Sequence, residues 1–89
     1  MFYFSFVLNV FAQTNTIKAK ITNETGAPIA NASIQIKDKT VGTTSDENGS
    51  YQINANPGDI LEFSSIGYKI ASTAVGNADE INMTLIAEI

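Results

Sequence analysis

The strongest constraint on the fold is an alternation of apolar and polar residues with a period of two, which begins at Ile17 and recurs along the chain. It is clearest in residues 17–22, 32–37, 51–55 and 81–85. A period of two places successive side chains on opposite faces of a β-strand, so one face of each segment is expected to be buried. No segment carries a 3.6-residue period over enough residues to form a helix. The pattern therefore predicts strands and no helix from Ile17 onward.

Turn-forming residues separate the alternating segments. Gly26 and Pro28 interrupt the pattern in residues 23–28, and similar residues occupy 56–59 and 76–79. Glycine permits a positive φ and proline lacks an N–H, so both punctuate strands. Further strands are predicted over residues 41–45, over 60–64 with burial on both faces, and over 66–75. Six or seven short strands, spaced by about 8–12 residues, predict an all-β Greek-key β-sandwich.

The composition excludes several classes of function. The 89 residues include five lysines, no arginine and nine acids, for a net charge of −4, which is the wrong sign for binding a nucleic-acid backbone. Cysteine and histidine are absent, which excludes thiolate nucleophiles, Cys/His zinc sites and Ser-His-Asp triads. We therefore expect a single domain that is not an enzyme, with no catalytic, cofactor-binding or metal-binding residues.

The first twelve residues, MFYFSFVLNVFA, are almost wholly apolar and uncharged. They resemble the apolar core of a secretory signal peptide, with Val10 and Ala12 as the small residues before a cleavage site at Gln13. The run is shorter than the roughly 20 apolar residues of a membrane-spanning helix. The alternative is an N-terminal core strand, and the absence of a basic residue before Lys18 departs from the usual signal pattern. The sequence predicts a signal-like segment over residues 1–12 and a domain over residues 13–89.

The stretch TTSDENGSYQI contains the acids Asp46 and Glu47, followed by Asn48 and Gly49. We interpret it as a hairpin turn, because Asp bonds a backbone N–H two residues on while Asn and Gly tolerate a positive φ. A calcium loop is the alternative, although the later ligands of an EF-hand spacing are missing. Acid/base catalysis by the two carboxylates is disfavoured because no apolar pocket is evident to shift either pKa.

Two other groups of residues admit a functional and a structural interpretation. The segment Ile66-Gly67-Tyr68-Lys69 suggests either a recognition patch or a structural site, in which Tyr68 anchors the sandwich and Gly67 allows a bulge or close approach. The structural interpretation is preferred. Four lysines are expected to face solvent and to discourage edge-to-edge pairing of strands: Lys18, Lys20, Lys37 and Lys39.

A set of residues spaced along the chain from Ile17 onward stands in register with a known family pattern: Gly26, Pro28, Ile29, Ala32, Ile34, Gly42, Thr43, Thr44, Asp46, Gly49, Tyr51, Pro57, Gly58, Leu61, Phe63, Ser64, Gly67 and Tyr68. On these residues the sequence resembles the carboxypeptidase-regulatory-like domain, a transthyretin-like β-sandwich, in the version found at the N-terminus of SusC/RagA-type TonB-dependent outer-membrane transporters. The resemblance covers about residues 17–86. Three positions depart from it: Ala19 and Asn31 replace glycines, and Asn23 replaces an aspartate.

The resemblance implies an exported, non-catalytic accessory or interaction domain, periplasmic or associated with the outer membrane, belonging to a nutrient transporter or to a fragment of one. A protein partner is expected, which includes the rest of a transporter or its accessory proteins, and an exposed strand edge is a natural place for it. No insertion of the mature domain into the membrane is expected. A freestanding structural or adhesive module is the alternative. A transthyretin-like enzyme or ligand carrier is disfavoured, because the chain has no convergent polar cluster.

Overall fold

The computed structural model describes residues 15–88, which form seven strands and no helix. The strands are β1 (Asn15–Thr22), β2 (Ser33–Ile36), β3 (Gly42–Thr44), β4 (Ser50–Ala55), β5 (Ile60–Ser64), β6 (Ala71–Ala74) and β7 (Met83–Thr84). The predicted all-β class and the strand count are confirmed. The predicted signal-like segment, residues 1–12, lies outside this part of the chain. Within residues 15–88 no helix has the length and apolar character that crossing a membrane requires.

The strands form two sheets, ordered β4-β1-β7 and β3-β2-β5-β6. In the three-stranded sheet, β1 pairs with β4 in antiparallel fashion and with β7 in parallel. All pairs of the four-stranded sheet are antiparallel. The chain crosses from one sheet to the other after β1, β3, β4 and β6. This connectivity gives the predicted Greek-key sandwich, with the core between the two sheets.

The core is built from the inward positions of the alternating strands. Ile17 and Ile21 of β1 and Ile34 of β2 are completely buried, and Ala19 packs against the same core, while Lys18 and Lys20 face outward. Tyr51 of β4 meets Phe63 of β5 edge to face across the two sheets, with ring centroids 5.7 Å apart and an interplanar angle of 79°. Such a pair contributes about 0.5–1.5 kcal/mol beyond the area it buries. The period of two therefore identified the buried faces of β1, β2 and β4.

The segment around Gly67 is a loop, although we predicted a strand over it. Only Tyr68 makes an isolated bridge, to Ala87, and regular pairing begins at β6. Gly67 has a φ of +90° and the Tyr68 N–H donates to the Ser65 carbonyl, so the chain turns here. A Cβ on Gly67 would meet no atom within 4 Å, so the glycine supplies the turn conformation and not a close approach.

The burial of β5 also differs from the prediction. Leu61 and Phe63 are completely buried, but Ile60 is 40% exposed and Glu62 is half-buried. The strand is therefore buried mainly on one face and alternates like its neighbours. Its dense apolar composition did not reveal this, because an apolar residue can lie on either face of a strand.

Candidate functional site

The turn at Asp46 is held by local backbone hydrogen bonds. The Asp46 Oδ1 accepts from the N–H groups of Asn48 and Ser50, each at 2.9 Å, and the Gly49 N–H donates to the Asp46 carbonyl. Gly49 has a φ of +76°, and a Cβ there would lie 2.5 Å from the Ile21 carbonyl oxygen. Asn48 does not share the positive φ that we expected of it. The turn interpretation is confirmed for Asp46 and Gly49.

This turn is not the hairpin that we predicted. It joins β3 of the four-stranded sheet to β4 of the three-stranded sheet, and these two strands do not pair. The local chemistry of the turn was therefore correct and its place in the fold was wrong. A crossing turn leaves β4 at the edge of its sheet, because β4 pairs with β1 alone.

The acids of the turn do not belong to a larger acidic cluster of the described residues. Asp46 and Glu47 are exposed, and one oxygen of Asp46 already accepts two backbone hydrogen bonds. Across residues 15–88, no group of three or more acidic side chains converges closely enough to hold a metal ion. Asp46 therefore has a local structural role in the turn.

A polar groove covers the outer face of the β4-β1-β7 sheet. Its volume is about 790 Å³, and outward-facing side chains of all three strands line it. Lys18 and Lys20 of the central strand β1 lie beside Gln52 and Ser50 of β4, with which they are in register. Neither lysine has an ion-pair partner in the part of the chain that the structure describes. The groove therefore presents two unpaired positive charges one strand away from the β4 edge.

The acidic side chains at the groove are held by hydrogen bonds within loops. Glu80 accepts a hydrogen bond from the Asn82 side chain on the β7 side of β1, and Asp46 caps its own turn. The Lys18 N–H donates to the Asp79 carbonyl and the Lys20 N–H to the Asn82 Oδ1. These bonds cover the side of β1 that faces away from β4.

The four lysines predicted to face solvent are all exposed, but they do not protect strand edges in the way we expected. Lys18 and Lys20 lie on the central strand of their sheet. Lys37 and Lys39 lie in the turn between β2 and β3, and Lys39 forms an ion pair with Asp59. None of the four is on the β4 edge, which carries no charged side chain at all.

The alternation of hydrogen bonds along β4 shows which of its backbone groups are directed outward. The Ile21 N–H donates to the Gly49 carbonyl. On the opposite side, the Ser50 N–H donates to the Asp46 Oδ1 and the Ser50 carbonyl accepts from the Asp46 N–H. In an antiparallel ladder this direction alternates at each residue. The N–H and carbonyl groups of Gln52 and Asn54 are therefore directed away from β1, toward the sheet edge. The sequence showed that both side chains are polar, but it gave no sign that their backbone groups lie at an edge.

Two depressions flank this edge, where β4 lies beside residues of the other sheet. The polar groove includes Thr43 and Thr44 of β3 together with Ser50 and Gln52. A smaller depression of about 340 Å³ brings Asn54 beside residues of the other sheet and its turn, which are Ile36, Lys39 and Val41. Val41 is 42% exposed and apolar. The β4 edge thus has Lys18 and Lys20 near its outer side, and the exposed part of Val41 beside the Lys39–Asp59 ion pair near its inner side.

The segment around Tyr68 has both a residue anchored in the core and exposed apolar side chains, so it shows features of the structural and of the recognition interpretation. Tyr68 is half-buried and packs against the core, which confirms its anchoring role. The isoleucines beside it are exposed, Ile66 completely and Ile70 to 71%. This exposed apolar pair lies in the loop between β5 and β6, on the sheet that does not contain β4.

The ionisable groups with shifted pKa values are structural. Burial raises the pKa of Tyr51 to about 12, and its hydroxyl donates to the Ile81 carbonyl at 2.5 Å. The hydrogen bond from the Lys39 side chain lowers the pKa of Asp59, and the bond from the Asn56 N–H acts in the same direction. Tyr51 therefore stays neutral and Asp59 stays ionised at pH 7 in the folded domain.

Comparison with solved structures supports the sandwich fold. A chain of a type II cohesin–X-dockerin complex from Acetivibrio cellulolyticus superposes with a TM-score of 0.64 and 22% identity, covering 82% of this chain and 58% of that one. A 9R-lipoxygenase from Cyanothece superposes with a TM-score of 0.56 and 14% identity, covering 93% of this chain and 18% of the lipoxygenase. At these identities the similarity concerns the fold alone.

Comparison of sequences identifies the family. SusC, a TonB-dependent receptor of Bacteroides thetaiotaomicron, is 39% identical over 62 residues, which are 70% of this chain and 6% of the receptor. Two TonB-dependent receptors of Formosa agariphila are 36% and 29% identical, covering 71% and 100% of this chain and 6% and 9% of the receptors. The chain thus spans less than a tenth of the length of these curated relatives. A family model described as the CarboxypepD_reg-like domain matches residues 17–88. The chain belongs to the CarboxypepD_reg-like domain family.

Proposed function

We propose that this chain serves as a non-catalytic accessory domain of a SusC-like TonB-dependent receptor, exported to the periplasmic side of the outer membrane, where it contacts a protein partner during nutrient import. The observation that carries the proposal is the match of one family model over residues 17–88, together with similarity to three TonB-dependent receptors. Residues 1–12 act as the export signal and residues 13–89 form the mature domain. An interaction role fits a sandwich with an uncharged strand edge beside a polar groove.

The location is testable by cysteine labelling, because the chain has no cysteine of its own. Glu47→Cys places one thiol in the exposed turn after β3, and a maleimide coupled to a polymer too large for porins reports its compartment. We expect labelling only after the outer membrane is permeabilised. Labelling in intact cells would support the freestanding adhesive module, and labelling only after the inner membrane is broken would refute export.

The role is testable by an in-frame deletion of codons 17–88 in the native gene. We expect slower growth on limiting nutrient while the amount of receptor in the outer membrane stays unchanged. Mass spectrometry of the exported wild-type protein should give an N-terminus at Gln13. Wild-type growth of the deletion strain on every nutrient tested would contradict a part in import.

A further inference from the structure

We propose that the outer edge of β4 binds an extended segment of the partner as an added strand, with acidic side chains of that segment facing Lys18 and Lys20 and apolar side chains facing Val41. The inference rests on the proposed interaction function and specifies its site and the chemistry of the partner. Four features of the β4 edge support it: outward-directed backbone groups, the lack of edge protection, the positive charges of Lys18 and Lys20, and the exposed apolar surface of Val41.

The edge has the hydrogen-bonding groups that an added strand requires. Gln52 and Asn54 direct their N–H and carbonyl groups away from β1, by the alternation fixed at Gly49 and Ser50. No strand within residues 15–88 pairs with this side of β4. The four groups match the pattern by which extended peptides add to sheet edges, where main-chain bonds provide affinity and alternate side chains provide specificity.

The β4 edge lacks the usual features that prevent strand addition. Proteins protect edges with short strands, lysines, prolines or bulges. β4 has six residues, contains no proline or charged side chain, and pairs with β1 over six consecutive positions without a bulge. The other edge strands are shorter: β3 has three residues, β6 four and β7 two. The longest edge is therefore also an unprotected one.

The charges near this edge select acidic side chains. Lys18 lies opposite Gln52 and Lys20 opposite Ser50, so an added strand on β4 would lie two inter-strand spacings from them, each about 4.8 Å. A lysine and a glutamate side chain together span that separation. Because neither lysine is ion-paired within the described residues, no salt bridge there has to break before an acidic segment binds.

The inner side of the edge selects apolar side chains. Residues of an added strand that alternate with the acidic ones would point into the open side of the sandwich. There the smaller depression is lined by Val41, by the buried Ile36 and by the Lys39–Asp59 ion pair, so its exposed apolar surface comes from Val41. Covering the exposed part of Val41 removes apolar surface from water, which favours binding. The expected partner segment thus alternates acidic and apolar residues.

The test uses the full 89-residue chain and a capped synthetic octapeptide of alternating glutamate and valine. A matched peptide has lysine in place of each glutamate. When the acidic peptide is titrated into the ¹⁵N-labelled chain, the backbone amide chemical shifts of Gln52 and Asn54 should change. The lysine peptide should bind at least tenfold more weakly, and added salt should weaken the acidic peptide because the charges involved are exposed.

Two pairs of variants distinguish the β4 edge from other surfaces. Gln52→Pro removes an outward N–H and leaves the β1 ladder intact, and Ser72→Pro makes the same change on β6, where Ser72 is also directed outward. We expect at least tenfold weaker binding for the first and less than twofold change for the second. The double variant K18E/K20E should weaken binding at least tenfold, whereas K37E/K69E, with the same change in net charge, should not.

A peptide methylated on the amides that would pair with β4 tests the same contact without altering the protein, should Gln52→Pro fail to fold. The methylated peptide should bind the chain at least tenfold more weakly than the unmethylated peptide. Binding that survives this methylation, shifts that avoid Gln52 and Asn54, or no binding of the acidic peptide at millimolar concentration would each overturn the inference. The proposed accessory function is tested separately in cells by labelling and deletion, so either can fail while the other stands.

Discussion

The Lys39 Nζ lies 2.7 Å from the Asp59 Oδ1, joining the turn after β2 to the turn before β5. Asp59 is only 8% exposed, and its second oxygen accepts the Asn56 N–H at 2.8 Å. The Val75 N–H donates to the Asp59 carbonyl as well. This residue therefore connects three loops at one end of the sandwich.

Asp59→Asn should destabilise the domain at pH 7 by about 1.5–3 kcal/mol, because hydrogen bonds between charged groups are worth roughly that much. The pKa of Asp59 is lowered in the folded state, so its contribution is complete above the unfolded value near pH 4. It disappears as the pH falls through the lower folded value. Urea unfolding between pH 2 and pH 7 measures the difference.

Asp38→Asn is the matched control for this prediction. Asp38 is exposed in the turn between β2 and β3 and has a φ of +65°, which asparagine adopts as readily. It should change the free energy of unfolding by less than about 0.5 kcal/mol. Equal pH profiles for Asp59→Asn and the wild type would show that the ion pair contributes nothing.

Gly49→Ala should be much more damaging than Gly26→Ala. Both glycines have a positive φ, which costs an alanine about 1–2 kcal/mol. A Cβ on Gly26 enters open space, whereas a Cβ on Gly49 lies 2.5 Å from the Ile21 carbonyl oxygen. The clash should bring the total for Gly49→Ala to about 2–5 kcal/mol. Denaturant unfolding of the two variants checks this, and equal losses would contradict the close approach at Gly49.

Ser45→Ala should destabilise the domain through lost hydrogen bonds. The buried Ser45 hydroxyl accepts from the Ala32 N–H at 2.9 Å and donates to the Ile29 carbonyl at 2.7 Å. Its removal leaves these buried groups without that partner, at about 1–3 kcal/mol each. The exposed Ser72→Ala should change the thermal midpoint little. Similar midpoints for the two variants would mean that water replaces the hydroxyl.

Tyr51→Phe should remove a component of alkaline sensitivity. The pKa of Tyr51 is about 12 in the folded state and about 10 when unfolded, so its contribution to stability is complete below pH 10. It is then lost as the pH rises toward 12. At pH 7 the variant should lose about 0.5–1.5 kcal/mol with the hydrogen bond to Ile81. Urea unfolding from pH 7 to pH 11 measures both effects. If the free energy of unfolding of Tyr51→Phe falls with rising pH as steeply as that of the wild type, the alkaline sensitivity comes from other groups.

Local patterns in the sequence predicted much of the fold. The alternation at Ile17 and Ile21 identified the buried face of β1, because a period of two is a property of each strand by itself. The turn at Asp46 was also predictable, since its hydrogen bonds join residues within four positions of each other. The resemblance to the carboxypeptidase-regulatory-like domain agrees with the family model over residues 17–88.

The candidate site was much less predictable than the fold. The sequence suggested an exposed edge in general terms, but lysines 18 and 20 were expected at edges and instead lie on the central strand. The loop at Gly67 was mistaken for a strand, because alternating apolar residues occur there although Tyr68 makes only an isolated bridge, to Ala87. Nothing local identified Gln52 and Asn54 as the residues with outward backbone groups.

The sequence by itself determined the strand class, the inward residues of β1, β2 and β4 and the hydrogen bonding of the turn at Asp46, all of which depend on neighbours within a few positions. Only the tertiary structure decided that β3 and β4 belong to different sheets, that Lys39 meets Asp59, and that β4 has a free side among the described residues. The physical reason is that strand pairing and sheet assignment depend on contacts between distant segments, which no periodicity along the chain encodes.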